Sequence, residues 1–351
     1  MKLRPSVLIL LAFSALFSSI SAQDKAADDV IKVDTALVSI PVIVSDKQGR
    51  YAAGLEAHDF TIFRDGVKQN IDFFASTEEP INVALLIDTS RSTADVLGDI
   101  KHSAIDFIKL LQPRDKAMVV SFDYEPHILS QLTSDSDQLK QAVKHADIGK
   151  YFGTTLRDAV FDVVNESFAK VKGRKAIILL TDGKDAGSSV STSSLFHSLE
   201  ESDTLIYTVY FQTGRGANQG GFGFPRGQGG RRGGRNGGIF GGRFPRNGGT
   251  FPGGRNRNGG RGEQNNEAAE DFLQKMSGLT GGRYYSSKIK DLGKTFATIV
   301  EELRFQYRLG FYPPDDTTDQ TMHSLKIKVA RPEMVVRARE GYRVISKTSE
   351  N

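Results

Sequence analysis

The stretch "INVALLIDTSRSTADVL", residues 81–97, decides the reading of this chain. From Ile81 to Ile87 it is apolar but for Asn82. A strand apolar on both faces belongs in the middle of a parallel sheet that is covered on both sides. The run then ends in Asp88, Ser90 and Ser92. Buried polar side chains need a hydrogen-bond partner or a ligand. What these three do at the end of a central strand is the question the rest of the sequence has to answer.

Working outward, strands and helices alternate. "STADVLGDIKHSAIDFIKLL" places Val96, Ile100, Ala104, Phe107 and Leu111 at helical spacing, and "KAMVVSFD" is the next strand. "DSDQLKQAVKHA" is a short helix capped by Asp135 or Ser136, and "TLRDAVFDVVNESFAKV" is another helix. "KAIILLTDG" is a second doubly buried strand, followed by helix "SLFHSLEES" and strand "TLIYTVYF". Helix "NEAAEDFLQKMSG", strand "GRYYSS" and helix "KDLGKTFATIVEELRFQ" complete the block. This alternation predicts an α/β fold, a doubly wound and mostly parallel sheet, over residues 81–304. Strand-rich stretches flank it. Before it, "DFTIFRDGVKQNIDFFAS" carries Asp65-Gly66 between apolar runs, a hairpin signal. After it, "YRLGFYPP", "HSLKIKVARP" and "VVRAREGYRVI" read as three strands. Residues 23–80 and 305–347 are each too small to close a core, so the expectation is that they pair, with the α/β block inserted into a small discontinuous β domain.

In an open parallel sheet the carboxyl ends of the strands share one edge, and ligands bind there. Three loops deliver oxygen donors to that edge: Asp88, Ser90 and Ser92 from the first strand, Thr154 from "KYFGTTLRDA", and Asp182 from "KAIILLTDG". All are hard ligands, suited to Mg2+ first, with Mn2+ or Ca2+ as alternatives, and unsuited to a thiolate-seeking metal. With Ser90, Ser92 and Thr154 bound directly and Asp88 and Asp182 acting through water, one position stays open for an outside carboxylate. The competing use of Asp88, Ser90 and Ser92 is to cap a helix, worth about 1 kcal/mol. Thr155, beside Thr154, could also cap.

The ordered set "DTSRS", "GTTL", "LLTDG" resembles the von Willebrand factor type A domain with its metal-ion-dependent adhesion site. The resemblance covers residues 81–304 and implies that Asp88, Ser90, Ser92, Thr154 and Asp182 form that site. Its spacing of Thr to a helix Ala selects Thr154, with Ala159 as that Ala. The flanks "DKQGRYAAGLEAHDFTIFRDG" and "GGRYYSS…EELRFQYRLGFYP" are similar to a group of exported bacterial von Willebrand A-related proteins common in Acidobacteria.

Residues 1–22, with Lys2 and Arg4, an apolar run from Val7 to Phe17 and small residues up to Ala22, read as a secretory signal peptide. The run is too short to span a bilayer, so the expected location is secreted or periplasmic, with no transmembrane span. The net charge of +4 hides an asymmetry. Residues 214–262 hold ten Arg and no Asp, Glu or Lys, so the rest of the chain carries −6. This Gly/Arg-rich insert has no periodic apolar face and is expected to be disordered. Interleaved Phe224, Phe244 and Phe251 suggest single-stranded RNA binding when read alone. The signal peptide argues against specific nucleic acid and leaves two readings, a flexible solvated loop or a weak electrostatic contact with anionic envelope polymer or lipid.

Cysteine is absent, so thiolate chemistry is excluded. "LGKTF" at 292–296 fails as a phosphate-binding loop because Lys288 stands where Gly is needed. No HExxH, GxSxG or nucleophile–base pattern occurs. The reading is therefore a binding and adhesion module, not an enzyme, whose cation takes an Asp or Glu of a partner protein. The alternatives are a protein acting through its cationic loop on anionic polymer or nucleic acid, and a metal-dependent hydrolase. If the insert fringes the metal face, deleting 214–262 weakens binding to acidic partners most at low salt, where charges are least screened. Affinity that is unchanged by the deletion in low-salt buffer rules that role out.

Overall fold

The computed structural model describes residues 37–213, 259–314 and 321–343, with the side chains of 259–265 excepted. The expected signal peptide and nearly all of the Gly/Arg-rich insert lie outside the described residues. The described residues form one compact unit. Its strands are β1 (Val38–Asp46), β2 (Phe60–Arg64), β3 (Val67–Gln69), β4 (Phe73–Ala75), β5 (Ile81–Asp88), β6 (Lys116–Phe122), β7 (Pro126–Thr133), β8 (Arg174–Thr181), β9 (Leu205–Tyr210), β10 (Arg283–Ser286), β11 (Gln306–Phe311), β12 (Met322–Val329), β13 (Met334–Arg337) and β14 (Gly341–Arg343). The helices are α1 (Leu97–Leu110), α2 (Ser136–Lys144), α3 (Leu156–Asp162), α4 (Thr192–Glu201), α5 (Gly259–Thr280) and α6 (Leu292–Arg304).

The central sheet runs β10-β9-β8-β5-β6-β7, parallel throughout except that β7 is antiparallel to β6. This is the mostly parallel α/β sheet expected from the alternation. β5 lies inside it, and the two-residue period of a strand divides its apolar side chains between two cores. Val83, Leu85 and Ile87 join α1, α2 and α6 on one face, where Phe107 and Phe296 pack with ring centroids 5.2 Å apart. Ala84 and Leu86 join α3, α4 and α5 on the other. Asp135 caps α2 by accepting the Asp137 and Gln138 N–H groups, which decides between the two candidate caps.

Three details differ from expectation. β7 was not read as a strand; it is an edge strand with Ile128 half exposed and register shifts against β6, so its pattern is blurred. The helix read across 155–171 is α helix only to Asp162 and continues as a π turn over 163–167, where Phe168 N–H reaches the Val163 carbonyl at 2.8 Å. "VVRAREGYRVI" is two strands, β13 and β14, in different sheets. Between them Arg339 turns inward and is only 3% exposed. Its guanidinium donates to the carbonyls of Glu200, Ser202 and Ser39 at 3.2, 2.9 and 2.9 Å, which breaks the run.

The flanking strands form two four-stranded antiparallel sheets, β13-β1-β11-β4 and β14-β12-β2-β3, each mixing strands from before and after the α/β block. They share a core that includes Ile40, Val42, Phe60, Ile62, Leu309 and Phe311. The Asp65-Gly66 turn joins β2 to β3 with φ of 49° and 82°, the left-handed pair that a tight hairpin requires. Among the described residues no helix is long and apolar enough to cross a membrane.

Glu302 on α6 joins the small sheets to the large one. Its carboxylate is fully buried, accepts Tyr207 Oη–H at 2.6 Å and Tyr51 Oη–H at 3.1 Å, and pairs with Arg337 and, at 3.4 Å, with Arg283. Removing one member of a buried ionic cluster strands the others. Glu302→Leu should therefore lower unfolding stability by about 3–5 kcal/mol, read as a drop in the urea midpoint.

Candidate functional site

At the carboxyl edge of the central sheet, four backbone hydrogen bonds tie the loops together. Thr89 N–H donates to the Phe122 carbonyl at 2.9 Å, and Gly149 N–H to the Thr89 carbonyl at 3.0 Å. Thr155 N–H donates to the Asp123 carbonyl at 2.8 Å, and Ala186 N–H to the Thr154 carbonyl at 3.0 Å. Asp123 follows β6 and Ala186 follows β8, the two neighbours of β5. A segment held to both must cross above the end of β5, where Asp88 is. Gly153 allows that crossing: its φ is +145°, and a Cβ there would stand 3.2 Å from the Tyr124 ring.

Asp88 is fully buried. Its Oδ1 accepts the Ser90 N–H at 3.0 Å, closing a local turn, and its Oδ2 accepts the Thr181 hydroxyl at 2.7 Å. The hydroxyls of Ser90 and Ser92 lie 3.0 Å apart. Ser90 occupies the N-cap position of a 3-10 turn over Arg91–Thr93, yet its side chain makes no capping hydrogen bond. The helix-capping use of "DTSRS" is thus not the one adopted. Thr155 sits at the N-cap of α3 and does not cap either; its hydroxyl donates to the Asp123 carbonyl at 3.1 Å. Thr154 is buried, and its hydroxyl has no hydrogen-bond partner among the described residues.

Asp182 is also buried. Its Oδ2 accepts the Lys184 ammonium at 2.5 Å and the Thr213 hydroxyl at 3.0 Å. Burial, and then the charge of Asp182, push the Asp88 carboxyl up to about 7 against the hydrogen bonds from Ser90 and Thr181 that hold it down. Two buried carboxylates, beside hydroxyls free of capping duty, form an oxygen donor set that fits a hard divalent ion. Among the described residues no three His, Asp or Glu side chains gather into a metal-binding cluster, so any centre here depends on its hydroxyls.

Two participants escaped the sequence reading. Thr181 holds Asp88, and the parallel register of β5 with β8, in which Ile87 faces Leu180, would have placed it there. Lys184 lies two residues past Asp182 and could have been suspected as its counter-ion. Asp158, on α3, fastens the loop after β8, accepting the Ser189 and Val190 N–H groups at 2.9 and 2.8 Å.

In protein stripped of divalent ions, the raised Asp88 carboxyl binds its proton more tightly folded than unfolded, where such a group titrates near about 3.9. The stability this contributes is complete below that value and is lost as pH rises through about 7. Denaturant titration in EDTA should show a decline on the order of a few kcal/mol across that window. Asp88→Asn should flatten it. A slope that persists unchanged in the variant would assign it to another group.

Residues 83–184 match the profile of the von Willebrand factor type A domain. Comparison with curated proteins found no match. Among solved structures the chain is similar to proximal thread matrix protein 1 from the mussel byssus, in a form with a zinc-occupied MIDAS motif. That likeness has 15% identity and a TM-score of 0.46, over 67% of this chain and 48% of the other. The chain thus spans about half the length of the mussel protein. It is also similar to the conserved hypothetical protein BatB from Bacteroides thetaiotaomicron, with 18% identity and a TM-score of 0.42, over 64% and 97% of the two chains. The vWF domain of the type V pili tip protein Mfa5 from Porphyromonas gingivalis gives 13% identity and a TM-score of 0.42, over 63% and 94%. Asp88, Ser90, Ser92, Thr154 and Asp182 all lie within residues 83–184, the stretch that matches the von Willebrand factor type A domain.

Proposed function

We propose that this chain is an extracytoplasmic protein-binding module that captures an acidic residue of a partner through a divalent cation. Ser90, Ser92 and Thr154 would hold the cation, with Asp88 and Asp182 supporting it. The observation that carries this reading is the use of the hydroxyls. Ser90 and Thr155 both stand at N-cap positions, yet neither caps, and the Thr154 hydroxyl has no hydrogen-bond partner among the described residues. When bound, the ion supplies a positive centre for an incoming carboxylate, and neutral hydroxyl ligands leave that charge little quenched. Mg2+ is the cation we favour, on the hardness of the donors. Lys184 is a cation already tethered to Asp182, and a divalent ion must compete with it there. The proposed role is binding without turnover.

Calorimetric titration of Mg2+, Mn2+ and Ca2+ into EDTA-treated protein tests the reading. About one ion should bind per chain. Asp88→Ala and Ser92→Ala should each weaken binding roughly 10–100-fold, as loss of metal-supporting groups does elsewhere. Equal binding by both variants and the parent would place the ion elsewhere and remove the basis for the proposal.

A further inference from the structure

Three large aromatic side chains stand in water beside this site. Tyr124 is 56% exposed, Tyr151 70% and Phe152 80%. Each adjoins the donor loops. Tyr124 follows Asp123 at the end of β6, and Tyr151 and Phe152 directly precede Gly153 and Thr154. Arg91, between Ser90 and Ser92, lays its guanidinium 4.1 Å from the centre of the Phe152 ring and donates to the Lys150 carbonyl at 2.6 Å. Tyr124 and Tyr151 pack with centroids 5.9 Å apart.

Exposing this much ring surface is costly, and grouped exposed apolar surface on a soluble protein marks a contact site. Tyr, Phe and Arg are the types enriched in protein interfaces. The rim is also held in place. Its loop is fastened at Gly149 to Thr89, at Lys150 to Arg91 and at Thr155 to Asp123, so little loop entropy remains to be lost on binding. The occupant follows from the surrounding charge. Each of the three donor loops carries a cationic residue, Arg91, Lys150 and Lys184, with Arg91 lying against the Phe152 ring and Lys184 on Asp182. The 214–262 insert, which also carries Phe, has no Asp or Glu and cannot supply a carboxylate.

We infer that the rim of Tyr124, Tyr151 and Phe152 reads the residue beside the captured acid, so that the partner presents Asp or Glu next to an aromatic or large aliphatic side chain. This rests on the cation-mediated reading above. The acid engages the ion while its apolar neighbour covers the rings, and selectivity among acidic partners comes from the second contact.

The test is a displayed library of short peptides with one fixed central Asp or Glu and random flanks, panned on the purified protein in Mg2+. Aromatic or large aliphatic residues should be enriched beside the acid. A peptide made from the enriched pattern should bind the Tyr151→Ser/Phe152→Ser variant roughly tenfold more weakly, the scale of a lost interface anchor. That variant should keep its calorimetric Mg2+ binding, since neither ring is a ligand. Random flanks with the parent, or the same flank preference in the variant, would overturn the inference while leaving acid capture intact. Enrichment seen only after deleting 214–258 would overturn it too, because the insert rather than a partner would then cover the rings. So would binding to phosphatidylglycerol vesicles that needs the rings, without any flank preference. Peptide binding that persists in EDTA, or with the acid replaced by its amide, would instead defeat the cation reading itself.

Discussion

Everything at the carboxyl edge depends on β5 having no solvent-facing side. Leu85, Leu86 and Ile87 are fully buried, each worth roughly 1.5–3 kcal/mol of apolar burial, and they lock the strand between helices on both faces. The strand's end is therefore carried into the interior with it. Asp88 cannot relax outward and must be satisfied where it stands, by the Ser90 N–H and the Thr181 hydroxyl. Its neighbour Asp182 is fixed just as firmly by β8. Two carboxylates are held near each other by apolar packing that has no regard for their charge.

That arrangement shapes the rest of the edge. Lys184 offsets one of the two carboxylates, while burial and the Asp182 charge push the other toward neutrality. Ser90, at an N-cap position, makes no capping hydrogen bond, and its hydroxyl lies 3.0 Å from that of Ser92. The Thr154 loop must bridge from β6 to β8, and the bridge leaves Tyr151 and Phe152 outside. The exposed rings and the buried acids are two consequences of one crossing. On α6, Glu302 does for the small sheets what these bonds do for the loops. It is a buried charge with several donors, and it fastens α6 to β9, β10 and β13.

Much of this was legible before any coordinates. Doubly apolar strands, a helix at 97–110 with its buried face, the Asp65-Gly66 turn and a helix cap at Asp135 or Ser136 are local consequences of side-chain type, and they read directly from the chain. The failures share a cause. β7 is an edge strand whose residues are half exposed, so alternation is weak. The π turn after Asp162 and the break at Arg339 are imposed by neighbours far away in sequence; the Arg339 guanidinium reaches carbonyls at 39, 200 and 202.

The sequence by itself determined that an α/β sheet would form, with "DTSRS" and "LLTDG" at strand ends and "GTTL" at a helix start, because burial periodicity and chain direction follow from local composition. Only the tertiary structure decided which hydroxyls were committed. Thr154 and Thr155 are the same side chain one residue apart. They differ because the Asp123 carbonyl, thirty-two positions from Thr155, stands within reach of one and not the other. A hydroxyl's partner is whichever backbone group the fold brings near it. That depends on register between strands and on the path of a crossing loop, neither of which a side chain encodes alone.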